Sequence, residues 1–326
     1  MDGALADPAT PMSPASPAKR RPAGAGGTGD YAKGRWHLWE FHDFDWCPHA
    51  FRSFVTNGLL AGWNFDGGVW PLKGHLPSGV DVAAAIIGDA LAASGETSIV
   101  DLCSGSGGPI PSVVARLRAS GRCPDLQATL TDLYPHTDDW RRLVSDAGGR
   151  EARAPTPGAS RPPITFHPTS VDATGVPAAL GGVRTCMAAF HHLTPALGER
   201  VLADAVAHRQ PLVIIELTER KLISLVVIAI FVFVTAIVMP LMGLIPMNRT
   251  RVFFTYIVPI FTVLFVWDGI VSCLRTLTVP EFQAMAAVAD PTGEFSWTAG
   301  KRRVVSFFPW YCTTYLVGIP NAKKKA

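Results

Sequence analysis

The chain has 326 residues, 48% of them hydrophobic and only 17% charged, with a mean hydropathy of +0.23. An average soluble domain carries about 25% charge, and disordered or fibrous chains lack this much apolar surface, so neither class fits. A formal net charge of +3 argues against a nucleic-acid binder, and six scattered cysteines without a CxxC pair make neither a disulfide framework nor a zinc site.

Residues 1–34 read as an Ala/Pro/Gly-rich tail, unable to bury enough surface to offset its ordering entropy. Residues 35–94 read as an N-terminal helical lid. It opens on the aromatic run Trp36–Phe54, interleaved with Glu40, His42, Asp43, Asp45, His49 and Arg52, and continues into an apolar helix from Val80 to Ser94 ended by Gly95. From 95 to 219 strands and helices alternate. Strands are expected at Thr97–Leu102, Leu126–Leu133, Ile164–His167, Arg184–Phe190 and Pro211–Leu217, with helices at Pro109–Ala119, Asp138–Asp146 and Pro195–His208. This rhythm predicts an α/β fold whose parallel sheet is covered on both faces. Gly148–Pro163 reads as a loop insertion.

After Glu216 the rhythm breaks. Leu222 to Asn248 carries no charge, Arg249 and Arg251 follow, and Val252 to Trp267 is again uncharged. Leu222–Met239 alone would reach about 27 Å at ~1.5 Å per residue, against a hydrocarbon core of about 30 Å. Residues 220–275 are therefore expected to form a membrane-inserted helical hairpin turning at Asn248–Arg251, crossing the bilayer or dipping into one leaflet. Residues 276–320 return to globular character, with a helix at Pro280–Ala289 and strands at Glu294–Ala299 and Thr313–Gly318 that complete the sheet. Residues 321–326 are a basic tail, and Lys323-Lys324-Lys325-Ala326 reads either as an endoplasmic-reticulum retrieval signal or as a solvated segment touching anionic lipid.

The strongest local signal is Ile99-Val100-Asp101-Leu102-Cys103-Ser104-Gly105-Ser106-Gly107-Gly108-Pro109. A hydrophobic strand ends in an acid, and a glycine-rich turn then opens a helix. Glycines permit the tight turn and let a ligand lie against bare backbone. The spacing is not the GxGxxG of a dinucleotide site, which weakens a nicotinamide-dependent reductase. The segment resembles motif I of the class I S-adenosylmethionine-dependent methyltransferases, although Cys103-Ser104 stands where many of them have a glycine. The resemblance implies that Asp132, followed by Leu133, receives the ribose hydroxyls of S-adenosylmethionine. It places Asp172 and Ala173, within Ser170-Val171-Asp172-Ala173, at the adenine, and substrate-side groups in Ala188-Ala189-Phe190-His191-His192-Leu193. The implied cofactor set is Asp101, Cys103, Ser104, Gly105, Ser106, Gly107, Asp132, Leu133, Asp172, Ala173 and Phe190.

Glu40-Phe41-His42-Asp43-Phe44-Asp45-Trp46-Cys47-Pro48, Phe253–Pro259 and Trp267–Thr276 extend the likeness across about residues 35–320. Here the chain is similar to methyltransferase-like proteins of fungi and bacteria that carry the same apolar insertion. The implied fold is a Rossmann-like, seven-stranded, mostly parallel sheet. His191 and His192 are the candidate catalytic bases, since imidazole titrates near neutrality; helix capping or sheet-edge packing is the competing role. Asp45, Trp46 and Arg52 are expected near the cofactor or acceptor. Glu216 is expected to pair with Arg220, and Asp268 either with Arg275 or at the membrane interface. No metal is expected, because His42, Cys47 and His49 lack a second ligand pair at standard spacing. The expectation is a membrane-anchored methyltransferase with its catalytic domain in the cytosol, the endoplasmic reticulum being one possible membrane. Its partners would be the lipid bilayer and a lipophilic small-molecule acceptor, not nucleic acid; the oligomeric state stays open. A non-catalytic membrane scaffold retaining the same fold is the alternative.

Overall fold

The computed structural model describes residues 30–44, 46–67, 76–153, 163–304 and 311–322. The tail before residue 30, Asp45, residues 154–162 of the expected 148–163 loop and the terminal lysines lie outside the described residues, and residues 148–153 belong to a helix rather than to that loop.

Seven strands form one sheet: β1 Ser98–Asp101, β2 Gln127–Leu130, β3 Ile164–Phe166, β4 Val183–Met187, β5 Leu212–Glu216, β6 Phe295–Arg303 and β7 Cys312–Pro320. Their order is β3-β2-β1-β4-β5-β7-β6. The first five run parallel, and β7 lies antiparallel between β5 and β6. Every residue of β4 and β5 is buried, as apolar strands covered on both faces require. Alternation along the strands divides the core into two clusters. Ile99 and Val213 belong to one, and their neighbours Val100 and Ile214 to the other.

Nine helices surround the sheet among the described residues: α1 His49–Asn64, α2 Gly79–Ser94, α3 Ile110–Ala119, α4 Thr137–Arg153, α5 Pro195–Ala207, α6 Leu222–Leu241, α7 Arg249–Val252, α8 Ile260–Arg275 and α9 Val279–Ala289. Helix α2 starts at a capping box, where Asp81 N donates to Ser78 Oγ (3.2 Å) and Ser78 N returns to the Asp81 carboxylate (2.9 Å). It stops where Gly95 turns left-handed, at φ 73°. Its Ile87 is buried in the same cluster as Ile99 and Val213, so α2 belongs to the α/β core. The expected lid thus shrinks to the segment from residue 35 through α1.

The apolar insertion folds back on itself, but not as a simple hairpin. Helix α6 is 20 residues long, about 30 Å at ~1.5 Å per residue, with Pro240 inside its last turn. It is long and apolar enough to cross a bilayer by length and composition, with a mean hydropathy of 3.1. The turn comes earlier than expected, with Gly243 left-handed and Asn248 already capping α7 through Arg251 N (2.9 Å). The second arm breaks. A π turn, Phe253–Ile257, follows α7, and the chain bends by 75° before α8. Pro259 supplies no N–H at that point, so a continuous helix could not pass through it. Arg251, expected to guard an exposed turn, is instead buried, and its Nη2 donates to Ser53 Oγ of α1 at 2.7 Å.

Candidate active site

In a parallel sheet built outward from β1 in one direction and β4 in the other, the loops after these two strands diverge and leave a crevice at their carboxyl ends. The glycine segment after β1 and Ala188–His192 after β4 occupy that position. Both loops carry a non-glycine residue in the left-handed region, Cys103 at φ 55° and Ala188 at φ 49°. Such conformations persist only where surrounding contacts over-determine them, and they concentrate at functional sites.

The glycine loop is held from below. Asp101 accepts from Ser104 Oγ (2.7 Å) and Thr185 Oγ1 (2.6 Å), and Thr131 N donates to Ser104 Oγ (3.2 Å). Burial pushes the Asp101 carboxyl up to about 7. Asp101 is therefore a scaffold beneath the loop, turned away from solvent. From the side, Asp132 accepts from Gly105 N and from Tyr134 N, each at 2.8 Å, while Trp140 Nε1 donates to Gly105 O (2.8 Å). Gly105 has φ 52°, and a Cβ there would meet nothing within 4 Å, so its backbone faces open space. A Cβ on Gly107 would instead lie 2.2 Å from Leu143 Cδ1. Cys103 and Ser106 are half-buried within the same turn. Val171 N donates to Asp132 O (2.9 Å) and Ser170 Oγ to Leu133 O (2.7 Å). These bonds set Asp172 and the buried Ala173 beside exposed Leu133, and Asp172 closes an Asx turn on Thr174 N (2.8 Å). The structure thus gathers Cys103 to Gly107, Asp132, Leu133, Asp172 and Ala173 along one sheet edge. Phe190 departs from the set. Its ring is buried against Phe282, 5.8 Å between centroids, and fills the core under α5 and α9.

On the same edge, beyond β4 and β5, a partly open pocket of about 70 Å³ lies between α1, α6, α8 and the Ala188–His192 loop. Its walls are Val55, Leu59, Ile228, Phe231, Val232 and Phe265. Gly58 and Gly62 of α1 admit the rings of Phe265 and Phe231 close to the helix backbone. The pocket's polar end is formed by Glu40, His42, His191, His192, Asp268 and Ser272.

That end is a buried charge network. His191 Nδ1 lies 2.7 Å from Glu216 Oε2, and His191 N donates to Glu216 Oε1 (2.9 Å). Burial works against its charge, but the Glu216 carboxylate outweighs it and carries the imidazole up to about 10. His191 is therefore an imidazolium anchored to β5 rather than a free base at neutral pH. Burial and the charge on His191 push His192 the other way, below the usual imidazole range. Burial would raise Glu40, yet the imidazoles of His192 and His191 hold it down to about 2. Arg275 ties the network to the lid. It donates to Leu38 O (2.7 Å) and to Asp43 Oδ2 (2.8 Å) and lies 3.2 Å from Glu40 Oε1. Arg35 reaches the carbonyls of both Arg275 and His191.

Two expected pairings are corrected here. Glu216 bonds His191, while Arg220 pairs with Glu281. Asp268 accepts from the backbone N–H of Phe41 (2.6 Å) and His42 (3.3 Å), and Arg275 goes to the acids of the lid. In each case the buried charge takes the nearest donor across the fold, which sequence neighbourhood does not reveal. Trp46 stacks on Phe44 (centroids 5.1 Å apart), and Arg52 donates to Phe44 O (2.8 Å). Both shape the lid segment itself, and neither lines the pocket. Sequence reasoning left Glu40 and Asp43 without a role and offered Arg275 only as a partner for Asp268; their signal was charge set inside aromatic or apolar runs.

No family model matches the chain, and no curated protein matches it. Solved structures do. The methyltransferase domain of bacterial CtHen1 is 12% identical, with a TM-score of 0.41 covering 73% of this chain and 97% of that one. The mitomycin 7-O-methyltransferase is 15% identical, with a TM-score of 0.38 covering 74% of this chain and 55% of its own. Human N-acetylserotonin methyltransferase, in complex with S-adenosylmethionine, is 11% identical, with a TM-score of 0.36 covering 74% and 52%. The chain thus spans about half the length of these last two enzymes.

Proposed function

We propose that this chain transfers a methyl group from S-adenosylmethionine to a small lipophilic acceptor, with its apolar insertion resting in a lipid bilayer. The observation that carries the reading is the pairing of two sites on one sheet edge. An open glycine turn flanked by Asp132 and Asp172 follows β1 and β2, and an apolar pocket with a polar end lies across the β1/β4 switch. The bare backbone at Gly105 leaves room for a ligand. The Asp132 oxygens, each holding one backbone N–H, keep lone pairs for the hydroxyls of a ribose. Cys103 to Gly107, Asp132, Leu133, Asp172 and Ala173 would hold the cofactor.

When bound, S-adenosylmethionine supplies an electrophilic sulfonium methyl, and the chemistry is the cofactor's own. The protein's part is to orient the acceptor and exclude water. The walls from Val55 to Phe265 exclude water and select an apolar body. The polar end presents His192, the one histidine of the pair not tied to Glu216, to the acceptor's reacting group. Because α6 and α8 form the pocket's outer wall, an acceptor dissolved in lipid would reach it without crossing bulk water.

Calorimetric titration of the full chain in detergent micelles with S-adenosylmethionine tests the reading. Micromolar binding is expected, weakened at least ten-fold by Asp132→Ala. No heat from the wild-type chain overturns it, as does equal affinity in the variant. Transfer of label from methyl-labelled cofactor into a lipid extract, but not into water-soluble metabolites, is the expected acceptor result.

A further inference from the structure

We propose that Glu40, His42 and His192 bind one divalent transition-metal ion at the polar end of the pocket. Potential ligand atoms of Glu40, His42, Asp43 and His192 all lie within 4.8 Å of one another. Glu40 Oε2 is 3.5 Å from His42 Nδ1 and 3.8 Å from His192 Nε2. Donors of a tetrahedral ion with bonds of about 2.0–2.2 Å stand about 3.3–3.6 Å apart. The Glu40–His42 distance falls in that range and the Glu40–His192 distance is slightly longer, and both exceed an ordinary hydrogen bond.

A buried imidazole nitrogen points independently to a ligand. His42 Nδ1 has no hydrogen-bond partner among the described residues; the carboxylates facing it are Glu40 at 3.5 Å and Asp268 at 3.7 Å. Leaving such groups unmatched is costly, and in native folds an ion or ordered water commonly answers them.

The surroundings hold each ligand by its other edge. Glu40 Oε1 faces Arg275 Nη1 (3.2 Å) and accepts from Ser272 Oγ (3.1 Å). His192 Nδ1 lies 3.0 Å from both Asp43 Oδ1 and Arg275 Nη1, and Asp43 Oδ2 is in turn fixed by Arg275 at 2.8 Å. A carboxylate on the far nitrogen of a ligating histidine is the usual device for setting its tautomer and ring angle. The His42 backbone is pinned by Asp268 (3.3 Å). Two imidazoles and one carboxylate form the donor set of open zinc sites and suit neighbouring first-row ions. All three ligands line the pocket, so the vacant coordination position would face its occupant. Local spacing gave no such site because the third ligand arrives from the loop after β4, about 150 residues beyond the lid. The competing arrangement is a metal-free ion-pair network centred on Arg275.

Metal binding decides between them without reference to methyl transfer. The full chain in micelles is freed of metal with a chelator and titrated with zinc against a chromophoric indicator. Bound metal is counted by mass spectrometry, and cobalt(II) serves as a spectroscopic probe. One zinc per chain is expected, with a higher thermal midpoint and cobalt d–d bands in the visible. Asp43→Asn should weaken zinc about 10–100-fold, and His42→Ala by more, with the far-ultraviolet dichroism retained; His37→Ala, outside the ligand set, should change nothing. Failure of the wild-type chain to retain zinc, manganese or iron(II) overturns the proposal whatever the variants do. So does unchanged zinc affinity in a folded His42→Ala chain. Titration of the same samples with S-adenosylmethionine shows separately whether the cofactor reading stands.

Discussion

Gly105 and Gly107 stand two residues apart in one turn, yet they answer to different constraints. At Gly107 the backbone has φ 106°, which side-chain-bearing residues rarely adopt, and an added methyl would also push the end of the Leu143 side chain aside, so the glycine is required by the fold itself. At Gly105 the methyl would enter open space, and only the left-handed φ of 52° is strained, at a cost of about 1–2 kcal/mol. Gly107→Ala should therefore lower the thermal midpoint markedly, whereas Gly105→Ala should lower it modestly and lose cofactor affinity out of proportion. Equal loss of stability in the two variants would remove Gly105 from the ligand-facing role. Asp101 beneath them gives a pH signature. An unfolded carboxyl ionises near 3.8, and the folded one stays protonated to about 7. The raised folded value means its contribution is fully present below pH 3.8 and is lost as pH climbs through 7. Asp101→Asn should remove that slope, gaining on the wild-type chain by up to about 4 kcal/mol between pH 4 and 7. Parallel melting curves across that interval would contradict the buried, protonated state.

Elements show where local pattern suffices and where it does not. The central strands were readable because their apolar runs coincide with burial: β5 was expected at Pro211–Leu217 and runs Leu212–Glu216. Edge strand β6, largely exposed, was expected only as far as Ala299 and runs on to Arg303. The end of α2 was readable because its stop is local, at left-handed Gly95; the caps Ser78 and Thr194 emerge only in the structure. The glycine turn and its acids were readable for the same reason, since each needs a particular residue type at a particular step. What local pattern could not show is contact between distant segments. Arg251 reads as part of the hairpin turn, yet it docks on Ser53 almost 200 residues away. Asp268 reads as the flank of a membrane segment, yet it holds the backbone of Phe41 and His42. Phe190 was assigned to the cofactor because it follows β4, but side-chain direction sends its ring into the core. The polar end of the pocket was legible only as an excess of charge in an aromatic run, because its three contributors lie on the lid, the β4 loop and α8.

At the scale of the whole molecule, the apolar insertion has two faces with different uses. Ile228, Val232, Ala236 and Phe265 turn inward, where they wall the pocket or pack on α1. Leu222 (81% exposed), Ile230 (60%), Leu241 (74%), Ile257 (68%) and Val263 (61%) turn outward. Together they make an apolar surface of a kind that monomeric proteins rarely leave to water. The lid ties this body to the sheet through Arg275 and Asp268, so a bilayer taking up the outer face would hold the pocket mouth at a fixed depth. The double change Ile230→Asp and Val263→Asp tests this use of the surface. Exposed substitutions of this kind ordinarily shift stability by no more than about 0.5 kcal/mol each, so melting and cofactor affinity should be retained. In lipid, each aspartate would cost about 2.5–3.5 kcal/mol near the centre of a helix. Flotation with phosphatidylcholine vesicles should therefore carry the wild-type chain to the top of the gradient and leave the variant at the bottom. A wild-type chain that stays at the bottom, with a light-scattering mass of two or more copies, would assign the same face to self-association instead.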